Sequence, residues 1–132
     1  MKTLTIILIA LVMFSCKKDE PKSITIYNGI DQSIHSDYDS PNLIETVVLV
    51  YVGADGKQVR IDKFPVSYSS VRDVDNYTVT STPLPDNITG VIVLVDFHYK
   101  GSNMSVISYQ SNNISIGEGM NSFTITENDR YL

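Results

Sequence analysis

The residues best suited to chemistry are Asp96 and His98. They stand two apart in the segment 90–99, where Val91, Val93, Val95, Phe97 and Tyr99 occupy the alternate positions. In an extended chain that parity puts acid and imidazole on one face, where their side chains can meet. A carboxylate that orients a histidine serves acid–base catalysis or metal ligation. The same two groups also make an ordinary hydrated pair on a solvent-facing strand, and no third partner can be placed beside them. A second polar group gathers His35 with Asp31, Asp37 and Asp39 in the stretch 30–42. Oxygen-rich loops bind calcium, but the regular spacing and the glycine of an EF-type loop are absent, which leaves a solvated loop as the plainer reading. No serine stands in a Gly-x-Ser-x-Gly setting and no phosphate loop occurs. No catalytic residue, cofactor or metal is expected from these patterns.

The one cysteine, Cys16, carries a different chemistry. Lys2 precedes an apolar run from Leu4 to Phe14 broken only by Thr5, about eleven residues long. That suits the hydrophobic part of a signal peptide and falls well short of the ~20 residues needed to span a bilayer. Ser15 and then Cys16 end the run. A lone thiol in an exported chain has no intramolecular partner, so either it is a leftover of an ordinary secretory peptide or it is modified. A small residue and a cysteine directly after such a run resemble the lipobox of bacterial lipoproteins. Met13 takes the place of the usual leucine and Phe14 that of a small residue, a looser box common in the Bacteroidota. The resemblance implies cleavage before Cys16, diacylation of its thiol, and an anchor of two or more chains, which holds stably where one does not. Lys18-Asp19-Glu20 is similar to the charged export tag of surface lipoproteins in that group, which implies the outer face of the outer membrane. A periplasm-facing anchor is the alternative, with the charged run then a plain solvated tether.

The organisation expected is a signal peptide at 1–15, a lipidated cysteine and tether at 16–22, and one domain at 23–132. Loss of the first fifteen residues removes one base, Lys2, and no acid, so the formal charge moves from −5 to about −6. Such an acidic chain is a poor partner for nucleic acid. Its length suits a single domain with a core that needs no disulfide.

Val, Ile, Thr, Tyr, Ser and Asn dominate the mature chain, the composition of strands rather than helices. Ile24 and Ile26 share one face of a first strand that ends at Asn28-Gly29. Residues 43–53 form the strongest strand, apolar on both faces, with Val48, Val50 and Val52 on one and Val47, Leu49 and Tyr51 on the other. Asp55-Gly56 makes a tight turn into 58–64, with Val59 and Ile61 inward. Residues 66–71 suggest a short edge strand, and 76–80 another with Tyr77 and Val79 inward. The second core strand is 90–99; 104–109, 114–116 and 122–126 complete the set, the last with Phe123 and Ile125 inward. Seven to nine strands at such spacing predict an all-β fold, a single antiparallel β-sandwich with wiring that resembles the immunoglobulin-like kind. A small β-barrel is the alternative. The core expected is Val48, Val50, Val91, Val93, Val95, Phe97, Phe123 and Ile125.

A sandwich on a lipid anchor, without a catalytic constellation, points to a non-catalytic binding or accessory module for protein or carbohydrate. Its contact surface is expected in the loop 30–42 or on a tyrosine-bearing sheet face. The alternatives are a small envelope hydrolase using Asp96 and His98, or a structural subunit that pairs through an edge strand.

Overall fold

The structure is a computed structural model that describes residues 20–30, 42–66 and 78–131. Eight strands run β1 (Ser23–Gly29), β2 (Leu43–Gly53), β3 (Gln58–Val66), β4 (Thr78–Thr80), β5 (Ile88–Tyr99), β6 (Ser105–Gln110), β7 (Ile114–Ser115) and β8 (Met120–Thr126). They form two sheets, β4-β1-β8 and β3-β2-β5-β6, with β7 continuing the β6 edge along β5. The chain changes sheet at β1–β2, β3–β4, β4–β5 and β7–β8. This is the expected β-sandwich, and among the described residues no pairing closes it into a barrel. All ladders are antiparallel except one: β1 and β8 run parallel, Ser23 beside Met120 through Gly29 beside Thr126. Parallel neighbours need a long connection, and here nearly the whole domain lies between them.

The two long strands carry the core. In β2 the buried side is Leu43, Glu45, Val47, Leu49 and Tyr51, while Val48 and Val50 are half-buried on the outer face. This corrects the expected core. Alternation defined the two faces of β2 but could not rank them, because both are apolar. The ladder to β5 decides it. Val47 lies beside Val95, Leu49 beside Val93 and Tyr51 beside Val91, and all six belong to one buried cluster with Ile24, Ile26 and Ile125 of the other sheet. Val91, Val93, Val95, Phe97 and Ile125 are buried as expected, and Phe123 packs partly buried against them. Phe97 meets Tyr109 edge-to-face at 6.0 Å between centroids, a favourable aromatic geometry.

β3 is turned over relative to the sequence reading. Val59 and Ile61 are 45% and 43% exposed, and it is Arg60, Asp62 and Phe64 that share the core side with Tyr51, Leu49 and Val47. β3 is an edge strand, so its inner side opens at the rim of the sandwich. There Arg60 Nε donates to Asp62 Oδ1 at 2.9 Å, its guanidinium reaches Thr82 Oγ1 at 2.7 Å, and it lies 5.3 Å above the Tyr51 ring. Charges aimed inward on an edge strand also discourage pairing with other chains. Of the edge segment expected at 66–71, Val66 belongs to β3 and the rest lies outside the described residues.

Turns set the ends. Gly56 takes a φ of 76° in the β2–β3 hairpin, where Asp55 Oδ1 accepts the Lys57 N–H at 3.0 Å. Strand direction gives the sandwich two distinct ends. The chain enters at one, with the turns 54–57, 85–87 and 117–119 around it. At the other lie Gly29, Leu43 and the β5–β6 turn.

A polar groove on the outer face of the larger sheet

The outer face of the larger sheet changes character along its length. Near the chain-entry end it is apolar, with Val50 beside Ile61 and Ile92, and Val48 beside Leu94. Toward the far end it becomes polar, and there an open groove of about 220 Å³ forms. Thr46 and Val48 of β2 line its middle. Lys63 of β3 stands on one side, Asp96 and His98 of β5 on the other, and Asn103 of the β5–β6 turn with Ser105 at the start of β6 completes it. Ladder register explains the gathering: Thr46 lies opposite Asp96, Val48 opposite Lys63, and His98 opposite Ser105 after a bulge at Phe97/His98.

The structure thus brings Asp96 and His98 to one face, as parity required, but not into a dyad. Asp96 Oδ1 accepts the Ser108 hydroxyl at 2.6 Å, and Ser108 is itself buried. Ser108, not His98, fixes the carboxylate. Among the described residues no hydrogen bond engages the side chains of Thr46, Lys63, His98, Asn103 or Ser105. Their donors and acceptors open into the groove. Of these five, only His98 is placed in a candidate site by the sequence; Asn103 and Ser105 stand out there only as the ends of an Asn-x-Ser triplet typical of polar turns. The signal that could have found Thr46 and Lys63 is parity, once the buried face of β2 is known. Asn103 and Ser105 depend on the curl of a turn.

Two other features lie outside the groove. Tyr27 is 46% exposed on the outer face of the smaller sheet, flanked in register by Thr78 and Thr124. Next to it Thr25 and Thr80 join hydroxyls at 3.1 Å. In the core, Glu45 is fully buried, aligned with Leu43 and Val47, a position that alternation alone would have shown. Tyr51 and Tyr109 are buried too. Burial, and next the nearby Asp62 carboxylate, push the Tyr51 phenol well above its usual pKa; burial, and next Glu127, which accepts the Tyr109 hydroxyl at 3.2 Å, do the same to Tyr109.

Cys16 and the acidic loop residues Asp31, His35, Asp37 and Asp39 lie outside the described residues. Among the described residues no three His, Cys, Asp or Glu side chains gather as a metal site. What the arrangement offers is a non-covalent contact: one cation, one oriented carboxylate, an imidazole, two hydroxyls and an amide around an apolar patch. No family model matches the chain, and no curated protein or solved structure matches it either.

Proposed function

We propose that this chain is a lipid-anchored, non-catalytic binding module of the outer membrane, displayed on the cell surface, which takes a neutral, hydroxyl-rich ligand such as a glycan in the groove. The observation that carries the reading is the set of groove side chains around Asp96 that no hydrogen bond engages among the described residues. Ligand sites are concave and combine a few convergent polar groups with apolar surface. Lys63 and Asp96 balance in formal charge, which favours a neutral ligand over an anion or a cation. Each sugar hydroxyl both donates and accepts, matching Asp96 as acceptor, Lys63 as donor, and Thr46, Ser105 and Asn103 as either. At about 220 Å³ the groove is smaller than the ~300–1,000 Å³ of drug-sized sites, a scale that suits one sugar ring. A protein ligand is the second reading, favoured by the exposed Ile61, two residues from Lys63 on the same face of β3.

The test is a titration of the labelled domain with glucose, galactose, mannose and N-acetylglucosamine oligomers, followed by amide shifts. Shifts centred on Val48, Asp96 and Ser105 are expected. The double substitution Lys63→Ala, Asn103→Ala, at two exposed positions, should weaken them at least about tenfold at two lost hydrogen bonds. No shift with any sugar would sink the glycan reading. Membrane fractionation tests the anchor: Cys16→Ala should move the protein to the soluble fraction and abolish acyl labelling. Loss of a hydrolytic activity in a folded Asp96→Asn, His98→Ala variant would replace the binding reading with the enzyme.

A further inference from the structure

Where the chain enters, it is already fastened to the domain. Gly119 N–H donates to Glu20 O at 3.4 Å, and Ser23 N–H donates to Gly119 O at 3.0 Å. Lys22 pairs with Leu84 as an isolated bridge, Leu84 N–H donating to Lys22 O at 2.8 Å. The Lys22 ammonium donates to the carbonyls of Asp86 and Ile88, each at 3.0 Å. The free length between Cys16 and the domain is therefore four residue steps, to Glu20. Even fully extended, four steps reach at most ~14 Å. That limit is covalent and holds for any conformation of the intervening residues.

The groove lies at the other end. Asp96 is eight residues along β5 from Ile88, about 26 Å at ~3.3 Å per residue. From these two lengths we infer that the anchored domain stands end-on at the bilayer, the turns 54–57, 85–87 and 117–119 toward the lipid and the groove turned outward. The inference rests on Cys16 being the lipid anchor. The entry end carries Glu20, Asp55, Asp86 and Glu118 against Lys22 and Lys57, an acidic balance that keeps it hydrated above anionic headgroups instead of sinking into them. The competing pose lays the apolar stripe of Val50, Ile61 and Ile92 on the membrane. The groove would then face lipid. End-on, the groove meets molecules in front of the membrane, not lipid headgroups.

The experiment uses the full acylated protein in nanodiscs of phosphatidylethanolamine and phosphatidylglycerol doped with a headgroup spin label. Intact mass first reads the acyl chains on Cys16; their absence would overturn the anchor reading and this one with it. With acylation present, amides of Asp55, Lys57, Asn87 and Glu118 should broaden about tenfold more than those of Asp96, Asn103 and Ser105, given their separation along the strands. Strongest broadening at Val50, Ile61 and Ile92, or equal broadening at both ends, overturns the end-on pose while the anchor stands. Ten Gly/Ser residues inserted after Lys18 should flatten the gradient, because the tether then no longer holds one end down.

Discussion

The two faces of β2 are both apolar at mid-strand, Val47, Leu49 and Tyr51 against Val48 and Val50, yet they have opposite fates. One is the centre of the core. The other is an outer surface whose far end holds the groove. The difference lies in what covers them. Val47, Leu49 and Tyr51 meet the second sheet across the sandwich, and Ile24, Ile26 and Ile125 fill the space between. Val48 and Val50 meet only their in-plane neighbours and stay half-exposed. Hydrophobic character by itself therefore does not make a core residue; a second layer does.

Charge insertion breaks this comparison most sharply. Val93→Asp puts an unpaired carboxylate at a fully buried position. It should cost several kcal/mol of a total near ~5–15 and unfold the domain, seen as loss of the strand signal in circular dichroism. Val48→Asp, one layer away on the outer face, should leave the protein folded. A folded Val93→Asp protein, or an unfolded Val48→Asp one, would reverse the assignment of faces.

Alkaline titration gives the next largest effect and reports only on the core side. Tyr51 and Tyr109 have pKa values raised in the folded state, so the folded protein resists losing their protons. The stability they contribute is full below the unfolded phenol value of ~10 and falls as pH rises above it, by about 1.4 kcal/mol per pH unit for each tyrosine. Tyr109→Phe should flatten that slope in urea melts above pH 10. An unchanged slope would show that burial does not hold the Tyr109 proton.

The smallest effect sits at the rim, where the core side of β3 opens. Arg60 hydrogen-bonds Asp62 and holds its carboxyl below the usual range. A lowered acid pKa adds stability above the ordinary carboxylate range and loses it as pH falls through the folded value. Both side chains keep contact with water, 34% and 22% exposed, so screening limits the pair. Asp62→Asn should cost ~0–1 kcal/mol at neutral pH, less in high salt, with the gap to the parent closing below about pH 4. A cost that persists in acid would assign Asp62 a packing role instead.

Strand positions were legible where local signals agree. The segment 43–53 is the observed β2 because eleven strand-forming residues end at Gly53 before a turn that Asp55 and Gly56 close. The parity of Asp96 with His98 survived for the same reason, since a strand's period of two is a local property. β3 was not legible. Val59 and Ile61 look like core residues in any window, and Arg60 and Asp62 do not. Their exchange follows from the pairing of Arg60 with Tyr51, a contact set by the register of a hairpin with a bulge at Tyr51/Val52.

The sequence by itself determined the β class, the order of strands and turns, and which residues share a face, because propensity and alternation act over a few neighbours. Tertiary structure alone decided which face of β2 is buried, that β8 lies parallel beside β1, and that Lys63, Asp96 and Asn103 meet at one groove. Those outcomes depend on which strands become neighbours. That choice belongs to the whole chain, since burying one face of each sheet requires segments a hundred residues apart, such as Ser23 and Met120, to lie side by side.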